Sequence, residues 1–140
     1  MSRFTEQEIE YLQSHRLGRL ATVNSRGELH VVPIAYFYNP EHETIDIGGH
    51  GFTTSKKYRD AVRHGQVAIV VDDSAGPGKP RLVEVRGTAA ALPEGGKAIS
   101  AGFPSPIIRI TPTYIVSMGV NDDAVRPAEG SVSFHGRRVG

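Results

Sequence analysis

The sequence predicts a mainly β protein: a small closed or partly closed antiparallel barrel of six or seven strands with two or three short helices. Three observations predict it. Short apolar runs, several of them alternating, recur along the 140 residues. The gaps Asn24-Ser25-Arg26-Gly27 and Asn39-Pro40-Glu41-His42-Glu43 are turns too short for a crossover helix, so the strands they join run antiparallel. The 16 glycines and 9 prolines suit a chain that turns often, and closing the sheet removes its exposed edges.

The elements follow in order. Phe4 to Ile9 starts a helix: Thr5 caps it, Glu8 completes a capping box, and Phe4 staples onto Ile9. This helix ends near His15 or Arg16, with Gly18 just beyond. Arg19 to Val23 is a short strand. Leu29 to Tyr38 is the strongest strand run, and Pro33 within it calls for an edge position or a bulge. Thr44 to Ile47 returns with alternation. Ser55 to Arg63 is a second helix with a narrow apolar face of Tyr58, Ala61 and Val62, ended by Gly65. Val67 to Val71 is apolar on both faces, as a central strand requires. Asp73 to Pro80 reads as a loop and Arg81 to Ala91 as a strand. Glu94 to Ala101 contains a short helical piece. Ile107 to Ile110 and Tyr114 to Met118 read as two closing strands around Thr111-Pro112-Thr113. The domain reading is a barrel over residues 1–120 and a C-terminal extension over 121–140, polar and irregular apart from Val132-Ser133-Phe134.

Composition excludes several functions. Net charge is +1, from 16 basic and 15 acidic residues without a single-sign block, which gives no general case for binding nucleic acid. Without cysteine there is no disulfide, thiolate zinc site or cysteine nucleophile. The first residues are too polar for a signal peptide, and no apolar run approaches the roughly 20 residues that cross a bilayer. A soluble cytoplasmic protein is expected.

Chemistry concentrates in Gly48 to Gly65. Thr53, Thr54 and Ser55 stand where the second helix starts, Lys57 follows two residues later, and Arg59 lies within reach. Hydroxyls, free amides, a cation and a helix N-terminus together suit a phosphate. A solvated basic surface helix explains the same residues. Neither GxxxxGK[ST] nor GxGxxG is present. No HExxH or HxH occurs, so no metal is expected. His15 and His64 suit helix C-termini, whereas His50, between glycines, has the best functional claim of the histidines. Asp72 and Asp73 are adjacent on a strand and point to opposite faces, which favours turn stabilisation over a shared proton. GxSxG is absent, and nothing argues for hydrolysis.

Taken together, "LGRLATVNSRGELHVVPIAYFY", "TIDIGG", "SKKYRDAVRHGQVAIVVDD", "VEVRGTAAAL" and "IIRITPTYIVSMG" resemble the pyridoxamine 5′-phosphate oxidase-like superfamily of split β-barrel flavoproteins. The likeness covers about Phe4 to Gly119 and is nearest to the branch containing oxidoreductases that use the deazaflavin coenzyme F420. It implies a homodimer with the cofactor in a groove between subunits. It implies that Ser55 and Lys57 hold the phosphate side, with Asp60 where Asn is frequent. The strand carrying Val31, Val32, Pro33, Ile34 and Ala35 would run along the ring system, meeting its edge with backbone groups. Arg86 would complete the rim or pair within the dimer, and Lys79 with Arg81 would attract the acidic tail of F420. Two departures stand out. The C-terminal Arg and His that grip substrate in true pyridoxamine phosphate oxidases have no match, so vitamin B6 oxidation is not expected; Met118 stands where relatives often carry Trp. The resemblance therefore implies F420-dependent hydride transfer to or from a small organic substrate, with no catalytic side chain assigned. An FMN enzyme of the same fold, a non-enzymatic flavin carrier, sensor or haem-binding relative, and a dimer with a vestigial groove are the alternatives.

Overall fold

The computed structural model describes residues 2–51, 55–120 and 134–140. Helix α1 spans Glu6–Gln13, then β1 Leu17–Val23, β2 Leu29–Asn39 and β3 Thr44–Ile47. Helix α2 (Lys56–His64) leads into β4 (Gln66–Ser74) and β5 (Pro80–Leu92). A one-turn α3 (Gly96–Ile99), β6 (Ile107–Met118) and β7 (His135–Arg138) complete the chain. The sheet runs β3-β2-β1-β4-β5-β6, and β3 pairs again with β6, closing a six-stranded antiparallel barrel to which β7 adds on the far side of β6.

Inward positions of the strands fill the barrel: Leu20, Ile45, Ile47, Ile69, Val83 and Ile115 are each at most 1% exposed. Helix α1 packs Tyr11 and Leu12 into this core. Its start follows the sequence, with Thr5 and Glu8 exchanging both capping-box bonds. Its end comes earlier than expected. Ser14 caps the helix at Gln13, and His15 leaves the helical path for Asp73, with Nε2 2.9 Å from Oδ2.

Three other expectations change. The loop expected over Asp73 to Pro80 is shorter: β4 and β5 pair as far as Ser74 opposite Pro80, leaving a tight turn over residues 75–79 closed by the Ala75 amide on the Lys79 carbonyl. The two closing strands are one. Pro112 sits where the β5–β6 register shifts between Arg86 and Gly87, so its missing donor falls at an irregularity of the ladder. Gly87 permits this, because a Cβ there would lie 2.2 Å from the Thr111 carbonyl oxygen. Finally, the tail is not irregular throughout: residues 135–138 form β7 against Tyr114 to Ser117. Its polar His-Gly-Arg-Arg sequence carries no apolar alternation. Arg137 holds it in place, donating to both carboxylate oxygens of buried Glu8 at 2.6 and 3.0 Å and to the Arg3 carbonyl at 2.7 Å. Residues 121–133, including Val132 and Ser133, lie outside the described residues.

Asp72 and Asp73 do point to opposite faces. Asp72 pairs with Arg19 outside the barrel. Asp73 ties α1 to the β4–β5 hairpin, accepting from Tyr11 Oη at 2.9 Å and from Arg81 Nε at 2.8 Å besides its bond with His15. The Arg81 guanidinium, with His15 and Tyr11 behind it, holds the Asp73 carboxyl far below its usual range despite the opposing cost of burial. A carboxyl depressed in the folded state stabilises above its unfolded pKa, about 3.9, and loses that contribution as pH falls toward the folded value. Asp73→Asn should therefore melt lower at pH 7 and show a flatter melting curve against pH below about 4 than the wild type. Thermal melts across acid pH check this, and parallel curves for the two proteins would contradict it.

Candidate functional site

The local sequence builds α2 as a capped, basic helix. Ser55 Oγ accepts the Tyr58 amide at 3.2 Å, and Gly65, with φ of 81°, ends the helix by donating to the Ala61 carbonyl. Ala61 is buried and Tyr58 packs on the core, so the helix is fixed by one narrow face. Its single acid, Asp60, is buried and bridges Lys56 at 3.1 Å and Arg63 at 3.5 Å. Lys56 first, then Arg63, keeps the Asp60 carboxyl below its ordinary range. Arg63 also donates to the Val23 carbonyl at 3.0 Å, tying the helix end to the β1–β2 turn. No acid stands in the first turn. The positive end of the helix dipole therefore adds to the nearby cations, of which Lys56 is already offset by Asp60. Arg59 is exposed. Thr53, Thr54 and the Lys57 side chain lie outside the described residues, although the Lys57 backbone is in that first turn.

On β2, Val32, Pro33 and Ile34 face Leu20, Arg19 and Gly18 of β1. Ile34 turns its side chain into the core and Val32 packs against it, while Pro33 is exposed. Pro33 presents its outer surface to a ligand, whereas Val32 and Ile34 turn their backbone groups to β1. The Tyr36 amide donates to the Arg16 carbonyl across β1, so alternation turns the polar groups of Val31, Pro33 and Ala35 toward the other edge. There the ladder with β3 starts only at Tyr36. Pro33 thus lies on a half-open edge, as its missing amide requires. The outer face of β1 and β2 is unusually apolar: Leu17, Leu29 and Val31 are 65%, 76% and 64% exposed.

The remaining candidates lie elsewhere. Lys79 is in the turn beyond Ser74, while α2 joins the opposite end of β4 at Gly65. The nine residues of β4 cover roughly 27 Å and the nine of α2 about 13 Å. Lys79 and Ser55 of one chain therefore cannot hold the same phosphate. Arg81 is committed to Asp73 and lies over the Tyr11 ring. Arg86 pairs with Glu84 at 3.0 Å and sits 5.0 Å from the Tyr114 ring centre. His50 is exposed and meets Phe103 edge-on at 5.4 Å. Met118 is buried opposite Leu82, a core position. Arg138, 5.8 Å from the same Tyr114 ring, escaped the sequence reading; the only signal was the Arg-Arg pair in the tail. An open cavity of about 410 Å³, bordered by Ser2, Arg3, His42, Glu43, Val139 and Gly140, contains none of the candidates.

No family model matches the chain. It is 41% identical over 122 residues to the 5a,11a-dehydrotetracycline/5a,11a-dehydrooxytetracycline reductase of Streptomyces rimosus, a match covering 86% of each protein. Among solved structures, the FAD binding protein of Mycobacterium smegmatis superposes with a TM-score of 0.62 at 22% identity, over 81% of this chain and 93% of that one. A putative pyridoxamine 5′-phosphate oxidase of Listeria innocua also gives 0.62, at 17% identity over 79% and 94% of the two chains. The structural matches show a shared fold, and the extent of the sequence match leads to one conclusion: the chain belongs to the family of the Streptomyces reductase.

Proposed function

We propose that the protein is a homodimeric reductase that uses coenzyme F420 to saturate an electron-poor carbon–carbon double bond in a small polycyclic substrate. The observation that carries the cofactor reading is the first turn of α2: a hydroxyl cap, Lys57 and Arg59, and no acid. That donor set fits a phosphate. The likeness to a dehydrotetracycline reductase supports the reduction and the substrate class.

Each part of the chain has a stated task. Ser55, Lys57 and Arg59 would bind the phosphate, and the β2 edge at Val31, Pro33 and Ala35, rather than Val32 and Ile34 whose backbone groups face β1, would orient the ring through backbone dipoles. A second copy against the apolar face around Leu17, Leu29 and Val31 would exclude water from the groove between the barrels. When bound, the cofactor supplies the hydride chemistry. The substrate gains a hydride on one carbon and a proton on the other, and the proton comes from solvent. No side chain is assigned as its donor. Lys79, too far from Ser55 of its own chain, would serve an acidic tail instead, which favours F420 with its oligoglutamate extension. FMN is the second reading, supported by the fold shared with FAD-binding proteins.

Anaerobic mixing of the protein with chemically reduced F420 and 5a,11a-dehydrotetracycline tests this. The expected result is enzyme-dependent reoxidation of F420 and a product heavier by two hydrogens. Turnover with reduced FMN alone would move the assignment to the second reading; turnover with neither would overturn it.

A further inference from the structure

One cluster outside the phosphate-side helix has a chemistry of its own. Strand register sets Arg86 of β5, Tyr114 of β6 and Arg138 of β7 in a single cross-strand row, next to Ala68 of β4. The two guanidinium carbons lie 5.0 and 5.8 Å from the centre of the Tyr114 ring. Both arginines are exposed and the ring is half-buried. Arg86 is oriented by two bonds to Glu84, at 3.0 and 3.2 Å. Arg138 has no carboxylate within salt-bridge distance among the described residues. The row keeps an excess positive charge at its β7 end.

Backbone choice reinforces this arrangement. Gly136 sits inside β7, where glycine weakens a strand and marks a close approach. A Cβ there would lie 2.8 Å from Tyr114 Oη, so the missing side chain is what lets the Tyr114 ring lean over β7. Phe134, 62% exposed, immediately precedes that strand. Planar, weakly hydrated guanidinium groups stack on aromatic faces and also bind anions through a fixed fork. A small inorganic anion would use only the charge, and a neutral ring only the stacking. A ring that carries its own negative charge uses both.

We propose that Arg86, Tyr114 and Arg138 form a recognition site for a flat, anionic ring system, the ionised carboxylate or enolate edge of an aromatic polycycle. The site stands on these three side chains. Its use by the enzyme's own substrate rests on the reductase reading above and names the charge state of that substrate.

Fluorescence titration with anthracene-9-carboxylate and its neutral counterpart 9-anthracenemethanol tests the site without any cofactor. The carboxylate should bind about tenfold more tightly than the alcohol, from charge and stacking combined. Arg138→Ala should remove most of that preference, Arg138→Lys should keep part of it, and Tyr114→Leu should weaken both probes. Circular dichroism and the melting temperature establish that each variant is folded; Arg138→Lys decides the matter should Arg138→Ala fail to fold. Equal binding of the two probes, an unchanged Arg138→Ala or Arg138→Lys protein, or displacement of anthracene-9-carboxylate by triglutamate as readily as by non-fluorescent benzoate derivatives would each overturn the proposal. Parallel titrations with F420 and FMN should be unaltered in Arg138→Ala, so failure of this site is distinguishable from failure of the cofactor reading.

Discussion

Arg137→Ala should cost about 2–3 kcal/mol of stability and lower the melting temperature by on the order of 5–10 °C. Glu8 is fully buried, and Arg137 reaches it from β7 with two charge-assisted bonds. Burial by itself would raise the Glu8 pKa; the Arg137 hydrogen bond, helped by the Thr5 amide and Ser117, outweighs it and keeps the carboxyl below its ordinary value. Removing one partner of a fully buried pair costs about 3–5 kcal/mol. The Arg137 side chain is 34% exposed, so solvent recovers part of that loss. The loss should be largest at neutral pH, where Glu8 must stay charged without its partner, and should shrink as pH falls and the carboxyl takes up a proton. Glu8→Gln in the Arg137→Ala background should restore part of the stability, since glutamine still closes the capping box without a charge. A melting temperature within a degree or two of wild type, independent of pH, would contradict this.

The second large effect concerns the outer face. If the proposed dimer forms through this face, Val31→Asp should turn it into a monomer and weaken cofactor binding at least about tenfold, since it would bury an unpaired charge against the second copy. Val31 is 64% exposed in the isolated chain, and neighbouring β1 and β2 positions offer Leu17 and Leu29 on the same surface. Ala101→Asp, on the exposed turn after α3, should change neither property. Light scattering and cofactor titration together check this. A wild-type monomer that binds cofactor, or a Val31→Asp protein that remains dimeric and binds it equally, would count against a shared groove.

Much of the barrel was legible because local chemistry and tertiary structure agree. Thr5 and Glu8 form the capping box their spacing predicts, Ser55 and Gly65 bound α2, and Pro33 falls on a half-open edge. Less legible were features decided by contacts distant in sequence. The loop at Asp73 shrank to a turn because strand pairing continues to Ser74 and Asp73 is anchored by Arg81, Tyr11 and His15. Pro112 looked like a break because nothing local reveals that Gly87 admits its strand across a register shift. β7 was hidden because its attachment comes from an ion pair spanning nearly the whole chain.

The site divides the same way. Ser55 and the absence of acid in the first turn of α2 follow from the sequence, as does the open backbone edge at Pro33. Lys79, read as a contact for an acidic tail, stands beyond the end of β4 opposite the helix, and its companion Arg81 proves to be a structural cation. Arg138 joins Arg86 only through strand register, which the polar tail does not disclose.

The most direct measurement is a pair of equilibrium titrations, F420 and FMN, on the wild-type protein and on Lys57→Ala. A helix start that grips phosphate predicts a loss of about tenfold or more when the ammonium is removed, and a tail contact at Lys79 predicts tighter binding of F420 than of FMN. Equal, weak binding of both cofactors, unchanged by the substitution, would contradict it.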